Sequence, residues 1–248
     1  MNTSLRNLWA AELLKLRTTR AARWIVLGAA LLSALAISGI VASGAVSQGQ
    51  LSTDSGLRTV LTHGGLGSIL SLILGILISA GEYQHGTVVD TFLTEPRRSR
   101  VIGAKLLAVG IVAGVACAAT TATTVSAWYA AKNVPLDLGS TVVVRSLVGI
   151  VLWQTLYAML GVCVGALVRA QAVAIVSVLV WLVVVETAIA GLVMSLGRWL
   201  PATAASTLGN APGTGLLPQV GAGVVLLGWV TLAAVGALVN TSRRDVTV

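Results

Sequence analysis

Six stretches of this chain are apolar over about 20 residues or more, the length a helix needs to cross roughly 30 Å of hydrocarbon. They cover residues 24–46, 60–80, 101–129, 143–168, 172–196 and 220–239. No soluble core can absorb six such runs. The chain is 56% hydrophobic and only 10% charged, whereas an ordinary soluble domain is about 25% charged. Within a bilayer, backbone groups must bond inside their own segment, which selects helices. The expected fold is therefore an all-α integral membrane protein, a single domain over 1–248. The first run is span-length and follows 23 residues, so it reads as a retained helix rather than a signal h-region of about 7–15 residues.

The net charge is +8, but the basic residues lie between the apolar runs, where they set orientation rather than contact nucleic acid. With the N-terminus inside, the inner segments hold Arg6, Lys15, Arg17, Arg20, Arg23, Arg97, Arg98, Arg100, Lys105, Arg169, Arg243 and Arg244. The outer segments hold only Arg58, Lys132, Arg145 and Arg198. This asymmetry places both termini in the cytoplasm of a multi-pass protein of the cell membrane.

Residues 1–22 carry Leu5, Leu8, Trp9, Leu13 and Leu16 on one side of a helical wheel, with Arg6 and Arg17 off that stripe and Lys15 at its edge. The pattern fits an amphipathic helix in the membrane interface or a plain basic juxtamembrane segment. Residues 81–100, on the inner side, mix acids, bases and apolar side chains. Val88, Val89, Phe92 and Leu93 can form one apolar side of a short helix, stopped by Pro96 before a basic cluster. A docking helix and an ordinary inner loop both fit. Arg169-Ala170-Gln171 must be a tight turn between the fourth and fifth runs. Outside, residues 197–219 hold Pro201, Pro212 and Pro218 together with Trp199, Leu200, Leu216 and Leu217, which fits a broken segment kept near the membrane or a plain outer loop.

Candidate chemistry is sparse. Each lysine is followed by a leucine or an asparagine, so no Gly-x-x-x-x-Gly-Lys-Ser/Thr phosphate loop exists. No Gly-x-Ser-x-Gly or His-Glu-x-x-His occurs, and the chain is not expected to be an enzyme. His63 and His85 are isolated, and Cys117 and Cys163 lie inside apolar runs, so no metal or resident cofactor is expected. Glu186 stands mid-span among valines. An unpaired carboxylate there costs about 2.5–3.5 kcal/mol on insertion scales, so it faces the bundle, a wet cavity or a partner. It reads either as a substrate-path or gating residue, or as a hydrogen-bonded structural group. Thr120, Thr121, Thr123, Thr124 and Ser126 in the third run can line a polar path, but such hydroxyls mostly bond their own helix. Gln154 and Tyr157 are weaker candidates for that path. Gly110-x-x-x-Gly114 and Gly161-x-x-x-Gly165 allow close helix contacts, within the chain or between subunits.

Two motifs carry a family resemblance. Glu12-Leu13-Leu14-Lys15-Leu16-Arg17-Thr18-Thr19-Arg20 is similar to the segment preceding the first span of type-2 ABC transporter permeases. Gly81-Glu82 with His85-Gly86-Thr87, then Thr91 to Arg100 and Ala104-Lys105, resembles the loop between their second and third spans. Size and six-span layout agree over essentially the whole chain.

The resemblance implies an interfacial helix bearing Glu12, Lys15 and Arg17. It implies a cytoplasmic coupling helix in 81–100, for which Gly81, Glu82, His85, Gly86, Thr87, Phe92, Leu93, Pro96, Arg97 and Arg98 are the candidate residues. It also implies an external re-entrant segment at 197–219, and a substrate path for which Glu186, Thr120, Thr124 and Gln154 are candidates. The implied partners are two copies of a separate ABC ATPase subunit, which would hold the ATP and Mg, a second permease copy or a related permease, and membrane lipid. Export of a hydrophobic or amphipathic molecule is the implied task. An ATP-independent carrier or channel, or a non-transporting anchor or assembly protein, are the alternatives.

Overall fold

The computed structural model describes residues 3–95 and 97–243; Pro96, Arg244 and the side chains of Leu5 and Phe92 lie outside it. Every regular element among the described residues is helical. In chain order they are α1 (Thr3–Thr18), α2 (Arg20–Ala42), α3 (Gln48–Leu51), α4 (Asp54–His63), a 3₁₀ turn (Gly64–Gly67), α5 (Ser68–Gln84), α6 (Val88–Thr94), α7 (Arg98–Ala131) and α8 (Thr141–Val168). Then follow α9 (Gln171–Val180), a π-helical turn (Trp181–Val185), α10 (Glu186–Leu192), α11 (Met194–Gly197), α12 (Pro201–Leu208) and α13 (Gln219–Arg243).

Among the described residues, six helical stretches are long and apolar enough to cross a membrane: Arg20–Ala42, Asp54–Gln84, Arg98–Ala131, Thr141–Val168, Gln171–Leu192 and Gln219–Thr241. The chain is a multi-pass membrane protein. Its α7, with 34 residues, is about 51 Å long at 1.5 Å per residue, so part of it stands outside the hydrocarbon.

The bundle is organised around α8, which packs against α5, α7 and α13. Glycines set the closest seam. A Cβ on Gly161 would sit 1.9 Å from the Leu72 carbonyl oxygen, and one on Gly75 would sit 2.1 Å from that of Ala158. Helices α5 and α8 therefore touch backbone to backbone, an approach that only hydrogen in place of a side chain permits. On the other side of α8, Gly110 and Gly114 abut Thr155 and Val151, and the Thr155 hydroxyl donates to the Gly110 carbonyl at 3.1 Å. Both small-residue motifs thus serve contacts within the chain.

The second span is interrupted by its 3₁₀ turn, which leaves carbonyls without their usual helical partners. Buried side chains supply replacements. The Ser33 hydroxyl donates to the Gly64 carbonyl at 2.7 Å, and the Gln154 amide reaches the carbonyls of Gly64 and Gly65, each at 3.4 Å. Irregular backbone survives in such a place because protein groups replace water.

In contrast, α2, α9–α10 and α13 lie outside. Only 22%, 11% and 22% of their most apolar windows are buried, against 56–61% for the second, third and fourth spans. Leu27, Leu31 and Leu35 on α2, and Val176, Val180 and Val183 in the fifth span, point away from the bundle. In a bilayer such faces cost nothing, since lipid tails are as apolar as leucine.

The loops close each end. Arg169 takes a left-handed conformation (φ 60°) and turns α8 into α9. Its guanidinium lies 4.9 Å from the Tyr83 ring centroid and donates to the Asn240 carbonyl at 3.4 Å, while the Asn240 amide donates to the Leu167 carbonyl at 2.9 Å. At the opposite end the Tyr129 hydroxyl donates to the Leu51 carbonyl at 2.8 Å, and Gln219 bridges the carbonyls of Arg145 and Leu208. Between α10 and α13, Pro201 does not break a helix but opens one, as the first residue of α12. The face of α12 formed by Ala204, Ala205 and Leu208 is buried in the cluster that also contains Trp153, Leu156 and Leu226.

Candidate functional site

The residues with the most unusual chemistry meet where α1, the end of α5 and the start of α7 come together. Leu8, Trp9, Leu13 and Leu16 place an apolar stripe along α1, and Leu16 and its neighbours pack on Ala108, Val109 and Ala113 of α7. Glu12 falls in that stripe, one turn from both Leu8 and Leu16, and is therefore buried at 2% exposure. Lys105 of α7 is 4% exposed.

Four side chains form a closed ring of alternating charge. Lys15 Nζ donates to Glu12 Oε1 and to Glu82 Oε1, each at 2.8 Å. Lys105 Nζ donates to Glu12 Oε2 at 2.9 Å and to Glu82 Oε1 at 2.8 Å. The ring is neutral overall, the condition under which burying charge is tolerable. Burial by itself pushes the Glu12 carboxyl up, but Lys105 and Lys15 outweigh it and hold the group below the ordinary carboxylate value. Burial likewise works against the Lys15 ammonium, yet its bonds to Glu12 and Glu82 keep it above the ordinary lysine value.

The ring ties α1 to the loop that follows the second span. Gly81 and Glu82 belong to the last turn of α5, and His85 closes it with Nδ1 2.8 Å from the Gly81 carbonyl oxygen. Gly86 then reverses the chain at φ 72°, a value costly for other residues. Thr87 precedes α6, which buries Val88 but leaves Leu93 76% exposed. The apolar residues of α6 are thus divided between the bundle and its outer surface. Glu95 pairs loosely with Arg100 at 3.7 Å and accepts the Arg97 N–H at 3.3 Å, while Arg98 donates to the Thr241 carbonyl at the end of α13. A cavity of about 650 Å³ separates α6 from the α1–α2 joint; Lys15, Glu82, His85, Thr87 and Asp90 line it above apolar Leu74 and Ile78. Arg17 stands apart from the ring and lines a different groove.

The path candidates Glu186, Gln154 and Thr120 have separate hydrogen-bond partners. Glu186 is 3% exposed; its two oxygens accept the Trp181 indole N–H at 3.1 Å and the Ala202 backbone N–H at 2.8 Å. Its own N–H bonds the Trp181 carbonyl, closing the π turn. The carboxylate thus caps the first turn of α12 from another helix, where an anionic oxygen complements the exposed N–H groups. Gln154 is fully buried, accepting from the Ser71 hydroxyl at 2.6 Å while bracing the 3₁₀ turn. The Thr120 hydroxyl bonds its own helix at Ala116, and Thr124 is half-buried on α7. No hydrogen bond among the described residues joins Glu186, Gln154, Thr120 and Thr124 to one another.

Glu186→Leu is expected to lower stability by about 1–3 kcal/mol, because it strands the Ala202 N–H and the Trp181 indole in an apolar setting. Glu186→Gln, which retains one acceptor, should cost less. Thermal unfolding with tryptophan fluorescence measures both. Equal stability of the leucine variant and the native chain would show that α12 does not depend on this cap.

Sequence reading placed Glu82 and Lys15 in separate motifs and overlooked Ser33 and Ser71. The signal for Glu12 was its position within a leucine stripe; nothing local marked the two serines. Comparison with protein-family models and with curated protein sequences finds no match.

Proposed function

We propose that this chain is the membrane-spanning subunit of an ATP-driven transporter, of the type-2 ABC permease kind that its motifs resemble. On this reading both termini face the cytoplasm, as the distribution of basic residues favours. A separate ATPase subunit, in two copies, supplies ATP binding and hydrolysis. Two permease chains pair across the outer helices, and the transported molecule is hydrophobic or amphipathic. The segment α12 is the external re-entrant element, α1 the interfacial helix and α6 the coupling helix.

The observation that carries the reading is the mounting of α6. It presents Leu93 outward at 76% exposure, on a loop whose entry is fastened by Glu82 to both α1 and α7. A force applied to α6 by a docked partner would thus reach three helices through charged contacts of 2.8–2.9 Å. Hydrolysis in the partner would act by shifting the balance between two arrangements of the spans. Glu186 already spends both oxygens on Trp181 and Ala202, which favours this reading over a proton-coupled carrier.

Leu93→Asp is the test, with a candidate ABC ATPase subunit co-expressed and co-purified. The variant should retain the native unfolding temperature, because Leu93 is exposed, yet lose at least about tenfold in ATPase association, the weight of one well-packed apolar contact. Normal assembly and normal ATP turnover with Leu93→Asp, and again with residues 86–95 scrambled, would remove the coupling role.

A further inference from the structure

The corner between α1 and α2 holds a second charged feature, with a different character from the ring. Thr19 alone is extended there (ψ 116°), so the chain bends sharply between the two helices. Arg17 and Arg23, on either side of the bend, line one groove of about 480 Å³. Its remaining walls are Leu16, Ala22, Val26 and Leu27 with Val112 of α7, all apolar. Arg17, Arg20 and Arg23 are exposed. Of the carboxylates close to this corner among the described residues, Glu12 and Glu82 are paired with the two lysines, and Asp90 lines the separate cavity beside α6 rather than this groove. No ion pair among the described residues includes Arg17, Arg20 or Arg23.

We propose that this groove is a binding site for one anionic phospholipid, with the phosphodiester on Arg17 and Arg23 and the first part of an acyl chain along Leu16, Val26 and Val112. Charge selects the occupant: guanidinium groups lacking a carboxylate, at the mouth of an apolar groove, match a phosphate bearing a hydrocarbon chain. Place agrees with charge. Next to the groove, α2 turns Trp24 and Leu27 outward at 72% and 58% exposure, so its mouth is continuous with the lipid-facing surface. Basic pockets between membrane helices hold acidic head groups in this way. The ring and the groove thus divide the basic residues of α1, Lys15 being neutralised by protein and Arg17 by lipid. The site does not depend on the transport reading and would serve equally in an anchor protein.

Native mass spectrometry of the purified full-length chain, titrated with phosphatidylglycerol or phosphatidylcholine, tests the assignment. The native chain should prefer phosphatidylglycerol, and R17Q/R23Q should bind it about thirtyfold more weakly, at about 1 kcal/mol per basic residue near a membrane surface. Phosphatidylcholine binding should be unchanged. R17K/R23K should retain a preference for phosphatidylglycerol, and added salt should weaken binding to the native chain more than to R17Q/R23Q.

Should R17Q/R23Q unfold in phosphatidylcholine micelles, Val26→Trp, which fills the groove and keeps both arginines, replaces it and should also reduce phosphatidylglycerol binding. Soluble glycerol phosphate should fail to compete at the lipid's working concentration. The proposal is overturned by equal binding of the two lipids, by native-like phosphatidylglycerol affinity in R17Q/R23Q or Val26→Trp, or by glycerol phosphate competing as well as the lipid.

Discussion

Lys105→Met is expected to cost about 3–5 kcal/mol of stability, the range for removing one partner from a buried ion pair. The loss is large because of what remains. Glu12 stays at 2% exposure with one ammonium instead of two, and Glu82 keeps only Lys15, which is 40% exposed along its side chain. Adding Glu12→Gln should return much of the stability, since the double variant leaves no carboxylate on α1 to strand. The cycle of native, two single and one double variant isolates the coupling between the two residues. It can be read from unfolding in detergent. A loss below about 1 kcal/mol in Lys105→Met would mean that water reaches the ring and that α1 is held by its leucines alone.

The same ring sets a pH dependence with a definite sign. The Glu12 carboxyl lies below its ordinary value of 4.5 when folded, so its contribution is complete above 4.5 and fades as pH falls through the lower folded value. Lys15 lies above its ordinary 10.5, so its contribution is complete below 10.5 and fades as pH rises through the higher folded value. The contributions of Glu12 and Lys15 are therefore flat across neutral pH. The acid limb should flatten in Glu12→Gln, where that carboxyl no longer titrates.

Gly161→Ala, a change of one methyl group, is expected to destabilise by more than about 3 kcal/mol, beyond ordinary overpacking. The added carbon would lie 1.9 Å from the Leu72 oxygen and 2.8 Å from its carbonyl carbon. Both are backbone atoms, so no rotamer change relieves the clash; α5 and α8 must separate along their length. Gly39→Ala is the matched control. Nothing lies within 4 Å of its Cβ position on α2, and alanine is favoured over glycine inside a helix by up to about 1 kcal/mol. Size-exclusion profiles and unfolding temperatures should separate the two sharply. Equal behaviour would mean that the seam between α5 and α8 is looser than its geometry implies.

The spans were legible because hydrocarbon length imposes a simple condition on sequence, and all six apolar runs correspond to span-length helical stretches. The tight turn at Arg169 followed from the short gap between two such runs. What stayed hidden depended on distant partners. Glu12 and Lys105 are 93 residues apart and Lys15 and Glu82 are 67 apart, and no local periodicity reports such pairings. Glu12 did leave a trace, a carboxylate where the α1 stripe calls for leucine. Glu186 was recognised as needing a partner, but not which: its acceptors went to a backbone N–H and an indole because a π turn aims it at α12. The use of glycines 65 and 67, which admit Trp153 and Ala29 against an irregular turn, depends on neighbouring helices and has no local signal.

The central place of α8 has a consequence for how the chain is made. Helices α5 and α7 both rest mainly on α8 and meet each other only slightly, yet both leave the ribosome before it. Until residues 141–168 have been synthesised, the glycine faces at Gly75 and at Gly110 and Gly114 have nothing to close on. Before then the first half of the protein is joined through α2 and the charged ring of α1, α5 and α7, not through these glycine seams. Arrival of the fourth span then completes two seams at once, and it supplies the surface on which α13 later packs.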